Sequence, residues 1–168
     1  MRQLLLVRHA IAEDAAAYAR THPDDAGRPL TSEGKKKMKR VAAAVRTLVP
    51  EIQLLATSPF TRAVETAEIL AAAYEGLDAV VVPVLAPAQS ADDVTRWLIG
   101  KRRHDTVAIV GHEPGLGRAA SWLLAKSERS FIEIKKGAAL LLSFPDAVDA
   151  AAATLLWSLT PAQLRGLE

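Results

Sequence analysis

The chain has 168 residues, half of them apolar and 24% charged, with a formal net charge of +2 and no cysteine. A chain of this length buries a full core, so residues 1–168 are expected to form a single domain, and the missing cysteines exclude disulfides, thiolate metal sites and cysteine nucleophiles. The small net charge gives no bulk attraction to nucleic acid, and no apolar run is long enough to span a bilayer, so a cytoplasmic protein with neither nucleic-acid nor membrane partner is expected.

Residues 3–7 carry the run Leu4-Leu5-Leu6-Val7, which reads as a strand buried on both faces. Arg8 ends the run at once, which separates it from a secretory signal. Residues 13–28 then read as a long polar loop with Asp, Pro, Gly and His, a kind of segment that tends to carry function. A helix is predicted over residues 32–49, because Met38, Val41, Ala42, Val45, Leu48 and Val49 recur at helical spacing. Thr31 suits its N-cap and Glu33 its first turn. The basic run Lys35, Lys36, Lys37, Lys39 and Arg40 reads as a solvated face of that helix, not a nucleic-acid site.

A second strand is predicted at 52–56. Ser58-Pro59 predicts an N-cap with proline at the first helical position, opening a helix to about residue 74 with Ala63, Ala67, Leu70 and Tyr74 on one stripe. A strand at 79–82 is stopped by Pro83, and Ser90 caps a helix over 91–101. The run Thr106-Val107-Ala108-Ile109-Val110-Gly111 predicts a buried strand ending at His112, and Pro114 a helix start running to 125. The tail holds extended segments at 131–134, 138–144 and 153–158. Alternating strands and helices predict an α/β sheet with crossovers, to which the tail adds edge strands, some antiparallel.

Arg8 and His9 leave one predicted strand, His112 leaves another, and Arg62 lies in the first turn after a third. Ligands of open α/β sheets bind outside the carboxyl ends of the strands, so these four side chains are expected to share one crevice. Guanidinium forks match phosphate oxygens, and a helix N-terminus adds free N–H groups. A neutral imidazole is also a competent nucleophile. Metal binding fits the pattern less well. Arginines repel a cation, and no carboxylate stands at a ligand spacing from either histidine.

Four motifs in order resemble the histidine phosphatase superfamily, which includes cofactor-dependent phosphoglycerate mutases and acid phosphatases. They are Val7-Arg8-His9-Ala10, Leu30-Thr31-Ser32-Glu33-Gly34, the run Ser58-Pro59-Phe60-Thr61-Arg62-Ala63-Val64-Glu65-Thr66-Ala67, and Gly111-His112-Glu113-Pro114. Ala10 stands where the family signature has glycine. The resemblance implies a three-layer, phosphoglycerate mutase-like α/β sandwich, with a mostly parallel sheet and a late antiparallel strand. It implies that His9 is the phospho-accepting nucleophile, that Arg8 and Arg62 grip the phosphoryl oxygens, and that His112 completes the pocket, with Ser58 and Arg28 also binding substrate. Within the superfamily, the short chain, Arg28-Pro29-Leu30-Thr31 and the ending Trp157-Ser158-Leu159-Thr160-Pro161 are most similar to the SixA-type phosphohistidine phosphatases.

The resemblance therefore implies a phosphatase that needs no metal and no cofactor and acts on a phosphorylated protein, such as a histidine phosphotransfer domain. A small-molecule phosphomonoesterase of the same superfamily and a non-catalytic phosphoprotein-binding module are the alternatives. No carboxylate matches a general acid. Glu13, Asp14, Asp24, Asp25 and Glu65 are in range, and each reads as part of a solvated loop or helix face. Glu113 adjoins His112 but is expected to point elsewhere. Without an acid, an imidazole leaves more readily than an alkoxide, because its second nitrogen can take a proton.

Overall fold

The computed structural model describes residues 1–167. Its strands are β1 (Gln3–Arg8), β2 (Leu54–Thr57), β3 (Ala79–Val81), β4 (Thr106–Gly111), β5 (Ala139–Ser143) and β6 (Thr154–Leu159). They form one sheet in the order β3-β2-β4-β1-β5-β6. The pairs β3–β2, β2–β4 and β4–β1 are parallel, while β5 runs antiparallel to both of its neighbours. This is the mostly parallel sheet with a late antiparallel strand that the sequence implies.

Apolar runs in these strands are continuous because both faces of the sheet are covered. Successive side chains point to opposite faces. Leu5 and Val7 enter the core beneath α2 (Ser32–Leu48), α3 (Thr61–Ala71) and α6 (Pro161–Arg165). Leu4 and Leu6 enter the core beneath α4 (Ala91–Ile99) and α5 (Gly115–Ala125). The expected three layers result. Among the described residues, no helix is long and apolar enough to cross a membrane.

Local signals explain the helix ends. Thr31 Oγ1 accepts from Gly34 N at 2.9 Å, and Ser90 Oγ accepts from Asp93 N at 3.0 Å. Gly34 is where α2 crosses the segment after β1. A Cβ there would stand 2.1 Å from the Ile11 carbonyl oxygen, so only glycine fits without backbone movement.

Several expectations are corrected. Residues 131–134 are not a strand, because side chains use their backbone groups. Ile134 N donates to Glu113 Oε1 at 3.1 Å, and Ile134 O accepts from Arg8 Nη1 at 2.8 Å. Ser58 does not cap α3. Phe60 is its N-cap, without a side-chain bond, and the helix starts at Thr61. That helix stops at Ala71, and Tyr74 instead anchors through its hydroxyl, donating to Val49 O at 2.8 Å. Within the polar loop, a short helix α1 (Ala15–Ala19) is capped by Asp14 and a 3₁₀ turn (Asp25–Gly27) by Asp24. Helix α6 adds to the predicted elements, with Thr160 and Gln163 forming a full capping box at its start.

Candidate active site

Register brings the two histidines together. Arg8 pairs with Gly111 across the β1–β4 ladder, and His9 N donates to Gly111 O at 3.0 Å. The next residue on each strand is a histidine at the same level. The two rings stand 5.2 Å apart between centroids, and each residue is only 5% exposed. On the other side of β4, Thr57 pairs with Val110 and Ser58 N donates to Val110 O at 3.0 Å. This delivers Ser58 Oγ to 2.7 Å from His112 Nε2.

The Ala10 carbonyl selects the tautomer of His9, and Ser58 can select that of His112. His9 Nδ1 lies 2.7 Å from Ala10 O. A carbonyl only accepts, so Nδ1 carries the proton and Nε2 keeps its lone pair. Ser58 Oγ already accepts from Phe60 N at 3.3 Å. Its own proton can then go to His112 Nε2, which leaves Nδ1–H of His112 as a donor.

Burial pushes His9 down to about 4, against the pull of the Ala10 carbonyl and with help from Arg62, Arg8 and Lys136. Burial likewise pushes His112 down to about 3, helped by His9, Arg62 and Arg8. Both rings are neutral at pH 7. A lowered value means the basic form persists to lower pH and is lost only as pH falls through about 4 for His9, not through the ordinary 6.5. An NMR titration of the His9 ring protons in the free enzyme is expected to show this. A midpoint near 6.5 would contradict the buried, cation-flanked geometry.

The guanidiniums are fixed by backbone and by one carboxylate. Arg8 Nη1 is held by Ile134 O. Arg62 Nη1 donates to Asp25 O at 3.1 Å and lies 3.0 Å from Asp25 Oδ2. Its guanidinium also sits 4.9 Å over the Phe60 ring, whose edge meets the His112 ring at 5.2 Å. Arg28 Nε donates to Asp25 Oδ1 at 2.6 Å, and Arg28 Nη1 to Glu13 O at 2.7 Å. Asp25 therefore bridges Arg28 and Arg62. The Arg28 hydrogen bond, with help from Arg62, holds its carboxyl below the usual range. Arg28 joins the cluster through Asp25, at the rim.

Among the described residues, the buried side-chain nitrogens without a hydrogen-bond partner are Arg8 Nε, Arg62 Nε and His112 Nδ1. All belong to this cluster. An unpaired buried donor costs about 1–3 kcal/mol, and more when charged. The cluster is thus built for an anion with several acceptor oxygens, and the Nε2 lone pair of His9 stands beside it.

Sequence reasoning missed four contributors. Thr66 Oγ1 accepts from Ala10 N at 3.0 Å and donates to Arg62 O at 2.6 Å, tying the turn after β1 to α3. A lone polar residue at helical spacing on the apolar stripe of α3 was its signal. Glu113, partly buried and with its pKa raised by burial, holds Ile134 and through it the loop that seats Arg8. Asp25 reads in the sequence only as an acid, not as a bridge between arginines, and Lys136 has no local signal. Ala10 does not need the glycine it replaces, for it is not among the residues with positive φ. Gly137 does need to be glycine, with φ of 76°, where its N–H reaches Arg8 O and His9 O at 3.1 Å each.

The remaining carboxylates apart from Glu13 are otherwise engaged. Glu65 accepts from Leu30 N at 2.7 Å and from Lys35 Nζ at 2.5 Å. Asp14 and Asp24 cap helices, and Glu13 is exposed. Gln89, from the β3–α4 connection, lines a small cavity together with His112 and carries no acidic proton.

A family model described as the histidine phosphatase superfamily, branch 1, matches residues 4–89. An uncharacterized protein of Picosynechococcus sp. is 36% identical over 139 residues, 80% of each chain. A solved structure of the protein histidine phosphatase SixA complexed with tungstate superposes with a TM-score of 0.80 at 25% identity, covering 96% of this chain and 99% of that one. Phosphoserine phosphatase from Entamoeba histolytica, in complex with 3-phosphoglyceric acid, shares the fold with a TM-score of 0.74 at 15% identity, covering 98% and 100%.

Proposed function

We propose, from the premise that this chain belongs to the histidine phosphatase superfamily, that it is a phosphatase removing phosphoryl groups from phosphohistidine on a protein. In this reading His9 Nε2 attacks phosphorus while the bond from phosphorus to the substrate imidazole breaks. The departing imidazole keeps the bonding pair and is neutral because its other nitrogen takes a proton from solvent. Water then attacks the phosphorus of phospho-His9, the new P–N bond breaks, and phosphate leaves with His9 restored. Arg8, Arg62 and Nδ1–H of His112 hold the phosphoryl oxygens, whose charge stabilisation dominates phosphoryl transfer. Ser58 orients His112, and Arg28 acts at the rim through Asp25.

The observation that carries the choice of substrate is the engagement of Asp25, Glu65 and Glu113, with Glu13 exposed on its loop. Asp25 is ion-paired with two arginines, and Glu65 is held by Leu30 N and Lys35. An alkoxide leaving group needs a proton from a placed acid, and a protonated imidazole does not. The short connections also favour a protein substrate, since among the described residues each crossover from β1 to β5 holds helices and turns but no inserted domain. A structure similar to this one, the protein histidine phosphatase SixA, was solved complexed with tungstate, an oxyanion.

A ³¹P-monitored panel tests this. Phosphohistidine protein and phosphoramidate are expected to be cleaved well and an activated aryl phosphate less well. Serine phosphate and glycerol phosphate should be nearly inert, and Glu13→Gln should leave that ranking intact. Efficient cleavage of alkyl phosphates by the wild type, lost in Glu13→Gln, would make Glu13 the acid and the protein a small-molecule phosphomonoesterase.

A further inference from the structure

The active-site end of the sheet carries a second cationic feature, beside the pocket just described. Strands β1 and β6 run in one direction and β5 in the other. Ala10 after β1, Gly137 before β5 and Pro161 after β6 therefore stand at the same end of the sheet. Between them and α2 lies a cavity of about 130 Å³, with Met38 among its apolar walls and Lys37, Lys136 and Arg165 among its lining. Lys37 pairs with Glu33 at 3.1 Å. Lys136 and Arg165 form no ion pair among the described residues. Ala10, next to His9, and Gly137, whose N–H donates to His9 O at 3.1 Å, both line the niche, which places it beside the nucleophile.

We propose that this niche docks a carboxylate side chain of the phosphoprotein substrate, close to its phosphohistidine; the inference rests on the functional reading above. Three observations select that occupant. Pockets for free small ligands run about 300–1,000 Å³, and a cavity of about 130 Å³ suits one side chain. Lys136 and Arg165, with no ion pair among the described residues, and Lys37, shared with Glu33, leave net positive charge around one concavity, which calls for an anion. Ile11, an exposed apolar residue on the same lining, offers a contact for the methylene stem that carries a carboxylate. The phosphoryl group itself is accommodated by Arg8, Arg62 and His112, so the niche adds recognition of the flanking chain. Contacts of this type act chiefly through association rate and KM, and salt weakens them.

Two variants test the docking: Arg165→Glu, and the double variant Lys37→Gln with Arg165→Gln, which removes charge without reversing it. Each is compared with wild type in two assays at low ionic strength. The first is the ratio of kcat/KM on phosphohistidine protein to kcat/KM on phosphoramidate. The second is the affinity for a fluorescein-labelled hexaglutamate peptide, read by anisotropy. We expect both to fall about tenfold, mainly through KM in the first assay, and the difference from wild type to shrink in high salt. The ratio discounts any loss of folded protein, and the double variant serves where the reversed charge disturbs α6. An unchanged ratio in variants of an enzyme that does cleave the phosphoprotein would overturn the docking and leave the functional reading intact. Arg165-dependent peptide binding by an enzyme inert on phosphohistidine protein would overturn the functional reading and keep the niche as an acidic-segment site. Displacement of the peptide by inorganic phosphate would place it in the catalytic pocket and overturn the proposal.

Discussion

His9→Ala is expected to lower turnover by on the order of 10⁴-fold or more, the largest effect of any single change in this chain, because it removes the attacking atom itself. The geometry isolates that role. His9 Nε2 is unprotonated, since Nδ1 donates to Ala10 O, and the ring is buried among cations that disfavour its protonation. Packing depends little on the ring, whose neighbours in the cluster are held by other bonds: His112 by Ser58 and Arg8 by Ile134. The variant should therefore keep its Tm within a few degrees while losing activity. Wild-type enzyme quenched with base after exposure to ³²P-labelled phosphohistidine protein should retain label that is stable to alkali and lost in acid, and His9→Ala should retain none. Substantial turnover by the variant, or label on another residue, would remove His9 as the covalent nucleophile.

Arg62→Lys is expected to lower kcat/KM by about 10²–10³-fold although the charge is kept. Arg62 divides its guanidinium between two tasks. Nη1 serves the Asp25 carbonyl and carboxylate, while Nε remains buried and unspent. A lysine ammonium is a single point. If it follows Asp25 it leaves the phosphoryl oxygens, and if it follows the phosphoryl group it leaves Asp25 to Arg28 alone. It also gives up the guanidinium's cation–π contact over Phe60, and with it part of the wall against His112. Steady-state kinetics on phosphoramidate would read the loss, which should appear in kcat as well as KM because the grip tightens on the transferring group. Kinetics near wild type would place Arg62 outside the phosphoryl site.

Local sequence carried most of the architecture. Runs such as Leu4-Leu5-Leu6-Val7 announce strands buried on both faces, and β1 and β4 lie where they were predicted. Apolar spacing set α2 to within a residue of its observed end, and Thr31 caps it as expected. The ordering of motifs along the chain marked the family. These features were legible because each depends on neighbours a few residues away: a period, a cap, a break at the end of an apolar run.

Only the tertiary structure decided which atoms meet. The Ser58 hydroxyl, which local rules assign to a helix cap, turns to His112 across 54 positions of sequence. Ile134, in a segment with the pattern of a strand, gives its carbonyl to Arg8 across 126 positions. Asp25 looks like one more acid in a polar loop until it bridges Arg28 and Arg62, and Lys37, Lys136 and Arg165 become a group only when three strand ends stack. The reason is physical. Buried donors and acceptors must be paired, but the partner is chosen by the register of the sheet and the crossing of helices, which no local window contains. The sequence by itself determined the elements and the chemistry available at their ends; packing decided the tautomer of His9, the Ser58 partner of His112, the partners of two arginines and the shape of the cationic niche beside them.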